Sequence, residues 1–155
     1  MSTALPKLYL ARHGDTAGTD SHRHTGRTDL LKASRGSVVN VSSVGGSRVL
    51  PDRVAYGTSK AALDYLTGYL AVEWGPDGIR VNAVLPWFTR TDMVQKVLED
   101  RAFERKLIAA TPLRRLAEPA DVARAVAFLA LPDSAYITGQ LLAVDGGSLA
   151  QGLPG

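Results

Sequence analysis

Several features that define other protein classes are absent from this sequence. Its 155 residues include no cysteine, which excludes disulfide bonds and thiolate metal sites and fits a cytoplasmic enzyme. The longest apolar run, AVAFLAL, is far shorter than the roughly 20 residues of a membrane-spanning helix, and the N-terminus lacks a signal-peptide core. The net charge of +3 is not gathered into a basic run. The sequence therefore predicts a cytoplasmic protein with no membrane and no nucleic-acid partner.

Histidine is confined to the start of the chain, and a phosphate-binding glycine loop is absent from the sequence. The three histidines, His13, His22 and His24, all precede residue 25, and no ligand spacing among them predicts a metal site. No G-x-x-x-G-x-G sequence occurs, although such a loop lets helix N–H groups reach a dinucleotide pyrophosphate. The length suits one domain, but the pattern changes near residue 30, so we divide the chain into 1–30 and 31–155.

Hydrophobic periodicity predicts strands that alternate with helices. The predicted strands lie in KLYLAR, SVVNVSS, IRVNAVLP and YITGQLLAVDGG, and the predicted helices lie in LLKASRG, 54–74, 91–110 and EPADVARAVAFLAL. This alternation predicts an α/β fold with a parallel sheet and crossover helices.

A tyrosine and a lysine stand four residues apart at the start of the second predicted helix. Tyr56 and Lys60 therefore share a helix face, where an ammonium beside a phenol favours the phenolate and makes the tyrosine a general acid or base. The pattern alone is common by chance and favours a half-buried tyrosine and a solvated lysine. Ser42 and Ser43 end the preceding strand, and open α/β sheets bind ligands at strand carboxyl ends. A hydroxyl there is suited to hold a substrate oxygen.

From about residue 30 to residue 147 the chain resembles the C-terminal half of a short-chain dehydrogenase/reductase of the tropinone-reductase-like kind. The matching segments are GSVVNVSSVGG, AYGTSKAALDYLTGYLAVEWGPDGIRVNAVLP, TRTDM, PLRRLAEPADVARAVAFLA and YITGQLLAVDGG. The resemblance implies a truncated Rossmann-like sheet that lacks the N-terminal dinucleotide-binding half. It also implies an oxidoreductase that uses NAD or NADP to interconvert a small-molecule carbonyl and a secondary alcohol.

The resemblance assigns a role to each matching residue. Ser43, thirteen residues before Tyr56, would polarise the substrate carbonyl, and Ser42 fits this spacing less well. Tyr56 would transfer the proton, and Lys60 would favour its phenolate and bind the nicotinamide ribose. Three further residues after the RVN strand would lie beside the cofactor: Pro86, Thr89 and Thr91. The resemblance implies a substrate loop over residues 87–112, and we expect Asn82 to be structural.

The sequence departs from the family pattern at two places. Trp87 stands where the family usually has glycine, and the indole would either obstruct the nicotinamide site, which we favour, or fill space. The missing N-terminal half would leave a strand edge and an apolar face uncovered, which predicts either a homo-oligomer or compensation by the N-terminal segment.

The first thirty residues resemble the start of a histidine phosphatase of the phosphoglycerate-mutase-like superfamily. The motifs are LYLARHGDT and HTGRTDL, and they imply His13 as the phosphorylated nucleophile with Arg12 binding phosphate. The chain therefore reads as a chimera. Three functions remain open: a short-chain oxidoreductase, a non-catalytic α/β assembly module or chimeric remnant, and a phosphohydrolase that uses His13.

Overall fold

The computed structural model describes residues 8–11 and 28–151, which form a parallel sheet covered by helices. Its strands lie in sequence order, each hydrogen-bonded in parallel to the next: β1 (Leu8–Ala11), β2 (Ser37–Val41), β3 (Arg80–Pro86) and β4 (Leu141–Val144). The predicted parallel α/β sheet is confirmed.

Five α-helices occur among the described residues. They are α1 (Thr28–Ser34), α2 (Val54–Trp74), α3 (Asp92–Leu98), α4 (Arg101–Ala109) and α5 (Pro119–Ala130). Short 3-10 turns cover Val44–Gly46, Gly75–Asp77 and Pro132–Ser134. In the part of the chain that is described, no helix is both long and apolar enough to cross a membrane.

Alternating side chains on β2 divide the core into two layers. Val38 belongs to a buried cluster that includes Leu70 of α2 and Ile79. Its neighbour Val39 points to the opposite face and packs in a cluster with Leu129 of α5. Successive strand residues face opposite sides of a sheet, so helices pack on both faces of β2, whose side chains are buried at every position but the last.

Asn82 of β3 has the structural role predicted for it. Its side chain is fully buried, its amide nitrogen donates to the Ile137 carbonyl at 2.9 Å, and its oxygen accepts from the Gln140 backbone N–H at 3.0 Å. These bonds fix the approach of the chain to β4, because a buried amide must be satisfied by partners of defined geometry.

One predicted helix differs in the structure. The sequence predicts a continuous helix over 91–110, whereas the structure has two helices that break at Glu99 and Asp100. The Asp100 carboxylate accepts from the backbone N–H groups of Ala102 and Phe103 at 2.9 and 3.1 Å. This N-cap starts a new helix, since an aspartate at this position satisfies N–H groups that have no partner within the helix.

Candidate active site

The candidate site lies at the carboxyl ends of the two central strands. Ser42 directly follows β2, and its backbone N–H donates to the Val84 carbonyl of β3 at 2.9 Å. Pro86 ends β3 at the same edge. Parallel strands bring their carboxyl ends to one side of a sheet, so the segments after β2 and β3 lie side by side.

Ser43 is held in place by the turn that it begins. Its hydroxyl oxygen accepts from the backbone N–H of Gly45 at 3.1 Å, which makes it the N-cap of the 3-10 turn Val44–Gly46. A serine hydroxyl has one O–H donor besides its acceptor lone pairs. The cap therefore fixes the oxygen while leaving the O–H to donate elsewhere.

Tyr56 and Lys60 lie one helical turn apart in the first two turns of α2, as the sequence predicts. Only 7% of the Lys60 surface is exposed, and its ammonium donates to the Val41 carbonyl at the end of β2 at 3.0 Å. The ammonium also lies 5.8 Å from the centroid of the Tyr56 ring, within the range of a cation–π interaction. Tyr56 is 43% exposed, so the phenol is open to a substrate while the lysine is anchored beneath it.

Gly45 brings the tyrosine and the serine into one neighbourhood. A Cβ placed on Gly45 would lie 3.2 Å from Cε1 of Tyr56 and 3.4 Å from Oγ of Ser43. Both groups therefore contact the space beside this glycine. The structure thus brings Ser43, Tyr56 and Lys60 together at the sheet edge.

The residues expected beside the cofactor lie at the end of β3 and in the segment after it. Pro86 is the last residue of that strand, and the Thr89 hydroxyl donates to the Trp87 carbonyl at 3.0 Å. Thr89 also forms an isolated parallel bridge with Ala117, and the exposed Thr91 is the N-cap residue of α3. These residues lie along one segment at the same strand edge, with Pro86 nearest to the sheet.

Trp87 packs inward between two apolar clusters. One contains Val44, Ala83 and Leu85, and the other contains Leu98, Leu107 and Leu116. The indole makes an edge-to-face contact with Phe88 at a centroid distance of 4.8 Å. The indole therefore fills space within the fold, and its expected obstruction of the nicotinamide site stays a prediction.

Asp64 belongs to this neighbourhood although sequence reasoning missed it. Burial raises the pKa of its carboxyl group, while a hydrogen bond with Ser42 and the charge of Lys60 act in the opposite direction. The signal in the sequence is its position four residues after Lys60, which puts both side chains on one helix face.

A separate cleft of about 550 Å³ lies at the end of β4. It is lined by Trp87, by residues 111–113 and 143–147, and by Arg115, Ala117 and Asp121. Ser43, Tyr56 and Lys60 are not among its lining residues, so we do not assign the candidate chemistry to this cleft.

The described residues contain no cluster of three or more side chains suited to hold a metal ion. Arg12, His13, His22 and His24 lie outside the described residues, and the phosphatase-like interpretation of that segment stays a prediction.

Comparisons with known proteins define the class to which this fold and site belong. A family model described as enoyl-(acyl carrier protein) reductase matches residues 20–148. A solved short-chain dehydrogenase/reductase family protein superposes with a TM-score of 0.72 at 40% identity, covering 79% of this chain and 50% of the other. The chain belongs to the short-chain dehydrogenase/reductase family.

Two particular relatives illustrate the match and its extent. A tropinone reductase homolog of Arabidopsis thaliana is 48% identical over 124 residues, which is 79% of this chain and 47% of the relative. A gluconate 5-dehydrogenase of Burkholderia cenocepacia J2315, solved with NADP and tartrate, superposes with a TM-score of 0.77 at 28% identity, covering 81% of this chain and 49% of the other. The chain therefore spans about half the length of the relatives that it matches.

Proposed function

We propose that this chain carries the proton-transferring half of an NAD(P)-dependent oxidoreductase that interconverts a small-molecule carbonyl and a secondary alcohol. The observation that supports the proposal is the grouping of Ser43, Tyr56 and Lys60 beside Gly45 at the carboxyl edge of the sheet. Family membership supports the same chemistry, and the curated relatives include tropinone reductase homologs.

The chemistry follows from the positions of the three side chains. The Ser43 O–H donates to the substrate carbonyl oxygen, which stabilises the negative charge that develops there during reduction. Tyr56 donates its phenolic proton to that oxygen, and the Lys60 ammonium stabilises the phenolate that remains. In the oxidative direction the phenolate accepts the alcohol proton, so one set of groups serves both directions.

A bound nicotinamide supplies or accepts the hydride, and the residues of this chain fit only one end of such a cofactor. Tyr56 and Lys60 are suited to the nicotinamide ribose, and Pro86, Thr89 and Thr91 follow the adjacent strand. The pyrophosphate end does not fit this chain, because its sequence has no glycine-rich loop. We therefore assign the nicotinamide-proximal contacts to this chain and leave the choice between NAD and NADP open.

The test follows oxidation of NADH and NADPH by a panel of cyclic and acyclic ketones. We expect Tyr56→Phe to abolish any ketone-dependent oxidation, since phenylalanine has no proton to transfer. Tyr136→Phe is the matched control, because Tyr136 lies outside α2 and is fully exposed. Equal rates in wild type and Tyr56→Phe would contradict the assigned mechanism.

Absence of oxidation and of saturable cofactor fluorescence in the wild type would instead favour a non-catalytic assembly module. In that case the chain keeps the fold of the family's C-terminal half, and a partner supplies what the cofactor site lacks. The exposed apolar side chains on α2 support this second candidate function, because such a surface is suited to association.

The phosphohydrolase alternative rests on the LYLARHGDT motif alone, since Arg12 and His13 lie outside the described residues. Acid-labile phosphate on the wild type after exposure to a phosphoester, and its loss in His13→Asn, would support this function and the proposed division at residue 30.

A further inference from the structure

Asp64 lies on α2, and its side chain packs against the 3-10 turn that follows Ser43. Its Oδ1 atom is buried and makes no hydrogen bond within the described part of the chain. Its Oδ2 atom lies 2.6 Å from the point where Gly46 would carry a Cβ. The carboxyl group therefore points toward the turn, and glycine at position 46 leaves the space that it occupies.

The buried ammonium of Lys60 requires a compensating negative charge. A lysine with 7% of its surface exposed loses most of its hydration, which disfavours its charged form unless an anion lies nearby. The Val41 carbonyl accepts one of its hydrogen bonds at 3.0 Å but carries no net charge. An anionic neighbour is therefore needed to keep Lys60 protonated.

Asp64 is placed to supply this charge. Lys60 faces it from α2, Ser42 faces it from the end of β2, and the turn Val44–Gly46 contributes no ionisable side chain. The Ser42 hydroxyl also donates to the Lys60 backbone carbonyl at 3.3 Å, so it links the two residues. Among the groups that shift the pKa of the Asp64 carboxyl group, Lys60 is the one that carries a positive charge.

We propose that Asp64 is a positioning residue for Lys60. Its carboxylate, one helical turn after Lys60 on the same face of α2, favours the charged form of the buried ammonium that lies beside Tyr56. The proposal rests on the proposed function for its role in proton transfer. The electrostatic coupling itself is a property of the folded chain and can be measured without any substrate.

The test is an NMR titration of the Lys60 ammonium in protein labelled at the lysine Cε position. We expect Asp64→Asn to lower the titration midpoint of Lys60 by about one pH unit, which is a tenfold loss in proton affinity. Glu73→Gln is the matched control, since Glu73 is an exposed acidic residue on the same helix and should leave the midpoint unchanged. An unchanged Lys60 midpoint in folded Asp64→Asn would overturn the proposal.

A reciprocal measurement covers the case in which Asp64→Asn does not fold. Coupling between two sites acts equally in both directions, so Lys60→Met should raise the pKa of the Asp64 carboxyl group further above its usual value. A carboxyl titration that does not move in Lys60→Met overturns the proposal.

Where ketone reduction is measurable, Asp64→Asn should shift the alkaline limb of the kcat profile toward lower pH, and Asp64→Glu should restore it in part. Loss of ketone reduction with intact coupling would contradict the proposed function while leaving the role of Asp64 in place.

Discussion

Gly46 determines how closely the turn Val44–Gly46 approaches α2. A Cβ at this position would lie 3.0 Å from both the Ala61 nitrogen and the Lys60 carbonyl carbon, besides the Asp64 oxygen. Two of these atoms belong to the helix backbone and cannot move without disturbing α2. The absence of a side chain at Gly46 therefore sets the separation between the Ser43 turn and the Tyr56–Lys60 helix.

We predict that Gly46→Ala destabilises the protein by about 1–3 kcal/mol, because the added methyl group overpacks this contact. Gly68→Ala is the matched comparison, since Gly68 lies within the same helix and its Cβ would meet no atom within 4 Å. That substitution should stabilise the fold by about 0.5–1 kcal/mol through helix propensity. Urea unfolding midpoints measure both, and equal shifts of the two variants would contradict the packing argument.

The sequence was sufficient to propose Ser43, Tyr56 and Lys60, because the family resemblance assigns their roles and Tyr56 and Lys60 lie four residues apart on one helix. The inward direction of Trp87 could not be predicted in the same way. It depends on two clusters whose members come from β3, α3, α4 and the segments around them. Asp64 was missed for a related reason, since its burial is created by a turn that precedes it by eighteen residues.

At the scale of elements, periodicity predicted the strands and the long helices but not the break between α3 and α4. Apolar residues continue at helical spacing across the break, so the pattern gives no interruption there. The local signal was the Asp100 N-cap, whose two backbone contacts appear only once α4 has formed. A capping residue inside an apolar periodic pattern is thus a better guide to the boundary than the pattern itself.

The start of α5 is stabilised by an ion pair that also completes a capping box. The Asp121 carboxylate accepts from the Arg115 guanidinium at 2.6 and 3.1 Å and from the Glu118 backbone N–H at 2.9 Å. The hydrogen bond from Arg115, then the bond from Glu118, lower the pKa of Asp121 to about 2. The charged form of Asp121 is therefore favoured more strongly in the folded chain than in the unfolded one.

We predict that this contribution to stability depends on pH. Because the folded pKa lies below the unfolded value of about 3.9, the contribution is present above that value and disappears as the pH falls toward 2. Asp121→Asn should lower the urea midpoint near neutral pH, and its difference from wild type should shrink on acidification. The exposed Asp133→Asn controls for loss of one negative charge. A difference that stays constant with pH would contradict the assignment.

At the scale of the whole molecule, helices cover both faces of the two central strands, while α2 leaves apolar surface exposed. Tyr65, Tyr69 and Val72 follow one another at four- and three-residue steps, and each is at least half exposed. Residues at these spacings share one helix face, so the side chains form a continuous stripe. A stripe of this kind on the outside of a helix is suited to bury itself against another surface.

We predict that the stripe mediates self-association, in agreement with the homo-oligomer expected from the sequence. Sedimentation velocity over a range of protein concentrations should reveal dimers or larger species of the wild type. Tyr69→Glu should shift the chain toward monomer, because a carboxylate at the centre of an apolar contact would have to be desolvated without a partner.

Tyr136→Glu is the matched control for that substitution, since Tyr136 is fully exposed and lies outside α2, beyond α5 in the sequence. It adds the same charge to the same residue type and should leave the sedimentation unchanged. A monomeric wild type, or equal dissociation of both variants, would contradict the assignment of the interface to α2. If the wild type is monomeric, we expect the stripe to bind a different protein, because the apolar area stays exposed in the isolated chain. Where the wild type self-associates, mixing it with Tyr69→Glu distinguishes a symmetric contact through α2 from a contact elsewhere. A contact through α2 loses the mixed species in proportion to the variant added, whereas a contact elsewhere does not.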